Sequence, residues 1–479
     1  MPSLTRHARR RAWPSFAALL AALGAGSFAG AQASPIVAPL QFTRVVLPNG
    51  LVAVFNEDHS SPIVAVGIAY HVGGKDEKTG ATGLAHLCEH MMFMGSKNVK
   101  PGEFMSTIRA GGGTSSHWAE TSEDRTFYYE TVPSTQLEMA LWLESDRMMT
   151  PFGSADSSQL DVARAAIKNE RQQRENIPFS AAEPLTIGLL YGSEHPYRGG
   201  LGPMEDLNRA TFSDMRAFCK PYYVPNNAVV ALSGDFETRK ARAMVEKYFG
   251  GIKRGGVPAH PVMKSALTAE RRVVLEDPRG RGPSLRLAWS GVGFADPDKG
   301  ALRALASVLT GGRNSGLIKA LIYDHKLATF VLAAHFDNEK GGVFQIAVVP
   351  AGTTPLGAIE DVVDSVVHAA RETRPTDAQL MRFKRADADT AVLTLQSRQA
   401  RVDTLTQGQG WAGDPIAYAK QQSATSRLTP EDVQRVAVKY LTPNRVVLSL
   451  VPAGKLQLVS KPDRPYDNAM QIMPAEVKR

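Results

Sequence analysis

The chain has only two cysteines in 479 residues, Cys88 and Cys219. That is too few for a disulfide framework, so a small cross-linked scaffold is excluded, and both are expected as buried small residues rather than as a bridge. No apolar run of spanning length follows the first residues, so the mature chain is expected to have no stable membrane span. The excess of one charge sign is also small: setting aside Arg6, Arg9, Arg10 and Arg11 lowers the formal net charge from +8 to +4. The high pI therefore belongs partly to that basic head, and nothing calls for nucleic acid as a partner.

What is present begins with that head. Behind the arginines, Phe16 to Gly30 is an apolar run of Ala, Leu and Gly, and Ala31-Gln32-Ala33 supplies small residues for cleavage. Residues 1–33 read as an export signal, by the general or the twin-arginine route, which places the mature protein in the periplasm or outside the cell. The apolar run is short against the roughly 20 residues of a spanning helix, which argues against a retained anchor.

The remaining chain of roughly 440 residues is too long for one ordinary core, and it repeats itself. Thr211 to Leu232, "TFSDMRAFCKPYYVPNNAVVAL", aligns without a gap on Thr429 to Leu450, "TPEDVQRVAVKYLTPNRVVLSL". Each copy reads as a capped amphipathic helix, a Pro-Asn turn and a buried strand. A fainter echo links "SPIVAVGIAY" (Ser61 to Tyr70) with "GPSLRLAWS" (Gly282 to Ser290). The expected fold class is α+β: two similar domains, each a mostly antiparallel sheet packed with helices, opening with a hairpin at Pro48-Asn49-Gly50. The boundaries read as 41–250 for the first domain, 251–268 for a linker rich in Gly and Pro, 269–455 for the second domain and 456–479 for a tail.

The copies differ in chemistry. "GLAHLCEHMMFMG", Gly83 to Gly95, carries His86, Glu89 and His90 in an otherwise apolar helical run, whereas the corresponding second-half helix, "ALRALASVL" (Ala301 to Leu309), has no His or Glu. Residues four apart share a helical face, so His86 and His90 present two imidazoles to one point. Two neutral imidazoles suit zinc, and an adjacent carboxylate outside the ligand set suits a general base. The order reverses His-Glu-x-x-His, as in inverted zinc-peptidase motifs. Satisfied buried side chains would be the plain alternative, but three ionisable groups in so apolar a run are costly to bury without a cation or partners. A catalytic zinc needs a third protein ligand. Glu170, within the helical stretch Gln159 to Asn176, is the first candidate, with Glu175 and His195 behind it, and spacing alone leaves the three open.

These residues resemble the pitrilysin/insulinase family of zinc peptidases, which includes the mitochondrial processing peptidases. The resemblance rests on His86-Leu87-Cys88-Glu89-His90, "KNERQQREN" (Lys168 to Asn176), "EDRTFYYETVP" (Glu123 to Pro133), "HPY" (His195 to Tyr197) and "YYVPNNAVVALSGDF" (Tyr222 to Phe236). It implies His86, His90 and Glu170 as ligands of one zinc ion per chain and Glu89 as the base. It further implies two domains closing like a clamshell on a peptide or unfolded polypeptide. The substrate would add as a strand along about His117 to Thr121, which names Trp118, Ala119, Glu120 and Thr121 as substrate-binding. Trp118-Ala119 stands where the family usually has Asn-Ala.

Two further departures matter. Ala163 replaces a second glutamate that many relatives carry seven residues before the zinc-binding one. Ile322 and Thr329 occupy the positions of an Arg and a Tyr that active relatives direct at the substrate carbonyl, with Tyr323 and His325 nearby as substitutes. The expected activity is zinc-dependent endopeptidase, and the lost pair raises a heterodimer whose other subunit supplies the clamping residues. A non-catalytic structural or assembly subunit keeping the fold is the alternative. The His and carboxylate donors would also accept cobalt or manganese.

Overall fold

A computed structural model describes residues 38–115, 118–192, 195–197, 203–261 and 267–469. Residues 1–33, read above as an export signal, His117 and the end of the tail lie outside them. Among the described residues twelve strands form two sheets. The first contains β1 (Thr43–Val46), β2 (Val52–Glu57), β3 (Ile63–Tyr70), β4 (Ala119–Thr121), β5 (Thr126–Pro133) and β6 (Ala228–Gly234). The second contains β7 (Arg271–Asp277), β8 (Ser284–Gly291), β9 (Ala328–Asp337), β10 (Gly342–Pro350), β11 (Val446–Pro452) and β12 (Asp467–Asn468).

Their orders are β1-β2-β6-β3-β5-β4 and β12-β7-β11-β8-β10-β9. From the second position onward the two orders correspond strand for strand. The repeated segments occupy equivalent places: Thr211 and Thr429 cap the helices Phe212–Cys219 and Pro430–Tyr440 through reciprocal bonds with Asp214 and Asp432, and these helices lead into β6 and β11. Pairing is antiparallel except at β2–β6, β7–β11 and β7–β12, so both sheets are mixed. The outermost strand comes from opposite chain ends, β1 before the first repeat and β12 after the second. The region beyond 455 thus contributes a strand to the second sheet.

Alternation explains the layering. In β3, Val64, Val66, Ile68 and Tyr70 enter the main core of the first half. The intervening Ala65, Gly67 and Ala69 are small, and the helix Arg398–Ala412 from the second half lies on that face through Val402 and Leu405. A Cβ at Gly67 would sit 3.0 Å from Val402 and 2.9 Å from Phe127, so a larger residue would push the helix away. The reciprocal contact places the first-half helix Ala182–Tyr191 over Ala288, Val446 and Leu448 of the second sheet. Each sheet is therefore covered by a helix from the other half.

The turn between β9 and β10 adds a polar tie between the halves. His71 Nε2 lies 2.6 Å from Glu339 Oε2, and the Glu339 amide donates to Asp124 at 2.7 Å. Tyr197 donates to the other Asp124 oxygen at 2.7 Å.

The cysteines correct the sequence expectation. Cys88 and Cys219 form a disulfide, with Cα atoms 6.0 Å apart and a separation of 131 positions in sequence. Two cysteines gave no framework to read, but the helix Phe212–Cys219 packs against the helix Leu84–Met91 and brings the thiols together. Removing the bridge, by reduction or by Cys219→Ala, should lower unfolding stability by between about 2 and about 5 kcal/mol, since it closes a long loop. Urea denaturation with and without reductant measures this, and coincident midpoints would show that the tether contributes nothing.

Candidate metal centre

The helix Leu84–Met91, hereafter the motif helix, begins at Gly83, whose φ of 82° is left-handed and suits glycine. No side chain at the cap itself satisfies the first amides. Glu77 does so from six and eight residues upstream, accepting from the Gly83 amide at 2.9 Å and the Ala85 amide at 2.7 Å. A carboxylate there also complements the positive end of the helix dipole. The preceding residue is held by Asp206, which accepts from the Thr82 amide at 3.1 Å and its hydroxyl at 2.8 Å. Glu77 and Asp206 were not singled out from sequence. Cys88, one turn inside, carries the disulfide.

On this helix His86 Nε2 and His90 Nε2 lie 3.2 Å apart. The helix Ser157–Glu175 delivers Glu170, whose two oxygens lie 3.4 Å from His86 Nε2 and 3.5 Å from His90 Nε2. Atoms bound at about 2.0–2.1 Å in a tetrahedron stand about 3.3–3.4 Å apart, so the two imidazole nitrogens lie near one such edge, and the Glu170 carboxylate brings one oxygen to each ring. The donor types, two imidazoles and a carboxylate, fit the same ion. His86 Nδ1 is buried with no hydrogen-bond partner among the described residues, leaving Nε2 as the ring's outward nitrogen.

The electrostatics favour the ligand form. Burial pulls His86 down to about 3, with the charges of His90 and Arg174 adding to it; burial likewise lowers His90, with Glu170 opposing. Both rings are neutral at neutral pH. Burial pushes Glu89 up to about 7, against a bond from Thr121 and with Glu170 and Glu120 reinforcing the rise. Ala163 is fully buried on the inner face of the Glu170 helix.

Of the other ligand candidates, Glu175 pairs with Arg171 at 2.6 Å. His195 stacks on Tyr191 and accepts from the Tyr197 amide at 3.0 Å. These contacts involve neither His86 nor His90.

The expected substrate strand is shorter than His117 to Thr121. β4 spans Ala119–Thr121 and is the outermost strand of its sheet, paired with β5. Thr121 Oγ1 donates to Glu89 Oε2 at 2.5 Å, tying this edge to the carboxylate beside the histidines. Glu120 is exposed and pairs with Arg125 at 2.8 Å. Trp118 is not in the strand: its φ of 69° is left-handed, an outlier for a bulky residue, and its ring packs on the first core under Arg109.

Beside the centre is a cleft of about 340 Å³ lined by both halves, with His86, Thr121 and Arg174 on one side and Arg286, Asn338 and Gln345 on the other. Ile322, Thr329, Tyr323 and His325 are not on its lining. Thr329 donates to the Val349 and Pro350 carbonyls at 3.4 Å, and Tyr323 is exposed beneath the Arg313 guanidinium.

An inverted His/Glu/His motif on a tethered helix, with a carboxylate from a second helix and a strand edge alongside, is similar to the sites of inverted-motif zinc peptidases. Residues 52–184 match the family described as Insulinase (Peptidase family M16), and residues 209–386 match its Peptidase M16 inactive domain. The chain belongs to this family. It is 27% identical over 357 residues to the zinc protease PqqE of Helicobacter pylori, covering 71% of this chain and 77% of that one. An uncharacterized zinc protease of Streptomyces coelicolor is 28% identical over 406 residues, covering 82% of this chain and 86% of the relative. The crystal structure of a protease from Helicobacter pylori superposes with a TM-score of 0.79 at 25% identity, covering 87% of this chain and all of that one.

The raised Glu89 value sets a pH signature. In the metal-free chain Glu89 binds its proton more tightly folded than unfolded, so its contribution is full below about 4.5 and is lost as pH rises through about 7. Glu89→Gln removes that loss. Its stability relative to wild type should therefore increase by about 3 kcal/mol between pH 4 and pH 8, and a difference independent of pH in chelator-treated samples would refute the assignment.

Proposed function

We propose that the chain is an exported zinc-dependent endopeptidase acting on peptides or unfolded segments. The observation that carries this reading is the convergence of the His86 and His90 imidazoles and the Glu170 carboxylate on one point, with Glu89 bonded to the edge strand β4. His86, His90 and Glu170 would hold one zinc ion. When bound, zinc supplies Lewis acidity for attack on a peptide carbonyl. The names of the relatives support that metal.

The residues divide the remaining work. β4 offers its outer edge to an extended chain, whose main-chain groups pair with Ala119, Glu120 and Thr121 irrespective of sequence. The Thr121 hydroxyl fixes the Glu89 carboxylate at the end of that edge. Glu89 accepts the proton of the attacking water and returns it to the leaving amine, and a base whose value is near 7 in the metal-free chain is suited to both transfers. Only a flexible chain can add as a strand, which favours unfolded segments over folded proteins.

Export to the periplasm or beyond is supported by the disulfide, which persists in oxidising compartments, and by the basic and apolar residues of 1–33. Among the described residues no helix is long and apolar enough to cross a membrane. A second subunit supplying the clamping Arg and Tyr is supported by Ile322 and Thr329, which stand in their places away from the cleft. The match of residues 209–386 to a domain described as inactive accords with a division of labour between halves or between subunits.

The test is zinc content and cleavage of a mixed peptide library by the mature chain, alone and with extract of its native cells. Zinc should bind stoichiometrically, chelation should stop cleavage, and Glu89→Gln should keep the metal while losing about 10²–10⁴-fold in rate. Bound zinc with Glu89→Gln indistinguishable from wild type in both settings would favour a structural subunit. Cleavage only with extract would identify the chain as one half of a heterodimer.

A further inference from the structure

The cleft contains a charge for which the proposed chemistry has no use. Arg286 is on β8, where Leu285, Leu287 and Trp289 alternate into the second core. Its side chain therefore emerges on the opposite face, beneath the helix Ala182–Tyr191, and reaches the lining of the cleft. It is only 17% exposed, and its one carboxylate neighbour, Glu183, is 4.0 Å away. Nε and Nη1 are buried without a hydrogen-bond partner among the described residues. A guanidinium does not escape this by losing its proton. Unsatisfied buried donors are costly, and a purely structural arginine would be expected to have found acceptors, as Arg272 does in pairing with Glu360 through two bonds of 2.8 Å.

The surroundings suit an incoming anion. Asn338 and Gln345 bring amides to the same wall, and Arg174 faces it from the motif side, where its charge acts on both His86 and Glu89. Three carboxylates also line the space. Glu77 is committed to the motif-helix amides, Glu123 has partners of its own, and Glu183 is the distant counter-ion of Arg286 itself. Thr121 and Ser122, at the end of the edge strand, border the same cleft, so a chain laid along β4 runs into it.

We propose that Arg286 is a specificity-determining residue that binds a substrate carboxylate, from an Asp or Glu side chain or from the peptide's C-terminus, in the cleft beside the metal centre. This rests on the peptidase reading for its substrate class, but binding can be measured without turnover. In the closed pair seen here Glu183 holds the guanidinium loosely, and a substrate carboxylate replaces it with charge-assisted hydrogen bonds.

The experiment uses fluorescein-labelled decapeptides in two matched pairs, one differing by Glu against Gln at a central position and one by C-terminal acid against amide. Their affinity for the full mature chain carrying Glu89→Gln is read by anisotropy, with zinc present. Arg286→Leu in that background should weaken the acidic member of one pair at least about tenfold and leave the neutral members unchanged; the pair that responds identifies the carboxylate. Arg286→Lys should restore part of the preference. Glu183→Gln, which leaves the arginine in place, should tighten acidic peptides, so the inference stays testable if Arg286→Leu does not fold. Equal weakening of acidic and neutral peptides, or no preference in either pair, overturns the assignment. An acid preference that depends on Arg286 in a chain whose zinc-loaded wild type cleaves nothing, alone or with extract of its native cells, would refute the peptidase reading and leave the carboxylate site standing. Cleavage without acid preference would do the reverse.

Discussion

Two imidazoles and a carboxylate on little more than one turn of buried helix form the constraint around which the first half is arranged. Each would be better solvated in water, so the helix stays where it is only because its neighbours hold it. Glu77 anchors its first turn, the bond from Cys88 to Cys219 fixes its middle to a second helix, and Thr121 restrains Glu89 from the sheet edge. Glu170 arrives from a long helix whose inner face is apolar, so its carboxylate is positioned by packing at Leu160, Ala163 and Ile167 rather than by its own contacts.

The second half repeats the scaffold with the chemistry removed. Its counterpart to the motif helix is Lys299–Thr310, which buries Ala301, Leu302, Leu305 and Leu309 where the first half has its polar constellation. What the second half supplies instead is a wall. β8, β10 and the turn before β10 bring Arg286, Gln345 and Asn338 to the cleft, and the exchanged helices keep that wall in register with the motif helix. The centre and the opposing donors therefore belong to one packed unit.

How much of this was legible in the sequence follows from the range of the interactions. The His86/Glu89/His90 face is a local pattern, readable from helical periodicity alone. The repeat was readable because its caps and turns, Thr211 with Asp214 and Thr429 with Asp432, are local too. Glu170 could be narrowed to a segment but not chosen by spacing, since its position depends on how two helices cross. The disulfide was missed because nothing near Cys88 or Cys219 announces a partner 131 residues away. Glu77 was hidden in a polar loop, too far upstream for an ordinary capping motif. Arg286 occupies the polar slot of an alternating strand and reads as solvent-facing until the helix Ala182–Tyr191 is seen to cover that face.

The exchange of helices has a consequence for how the protein is made. The face of β3 that carries Ala65, Gly67 and Ala69 is covered by Val402 and Leu405, which leave the ribosome only after most of the chain has been synthesised. Until then the first sheet has one apolar face without its lid, and the usual order in which an N-terminal domain finishes before its successor begins is not open to this chain. Two sequence-similar halves have become a single folding unit, completed only when its late helix closes over the early sheet.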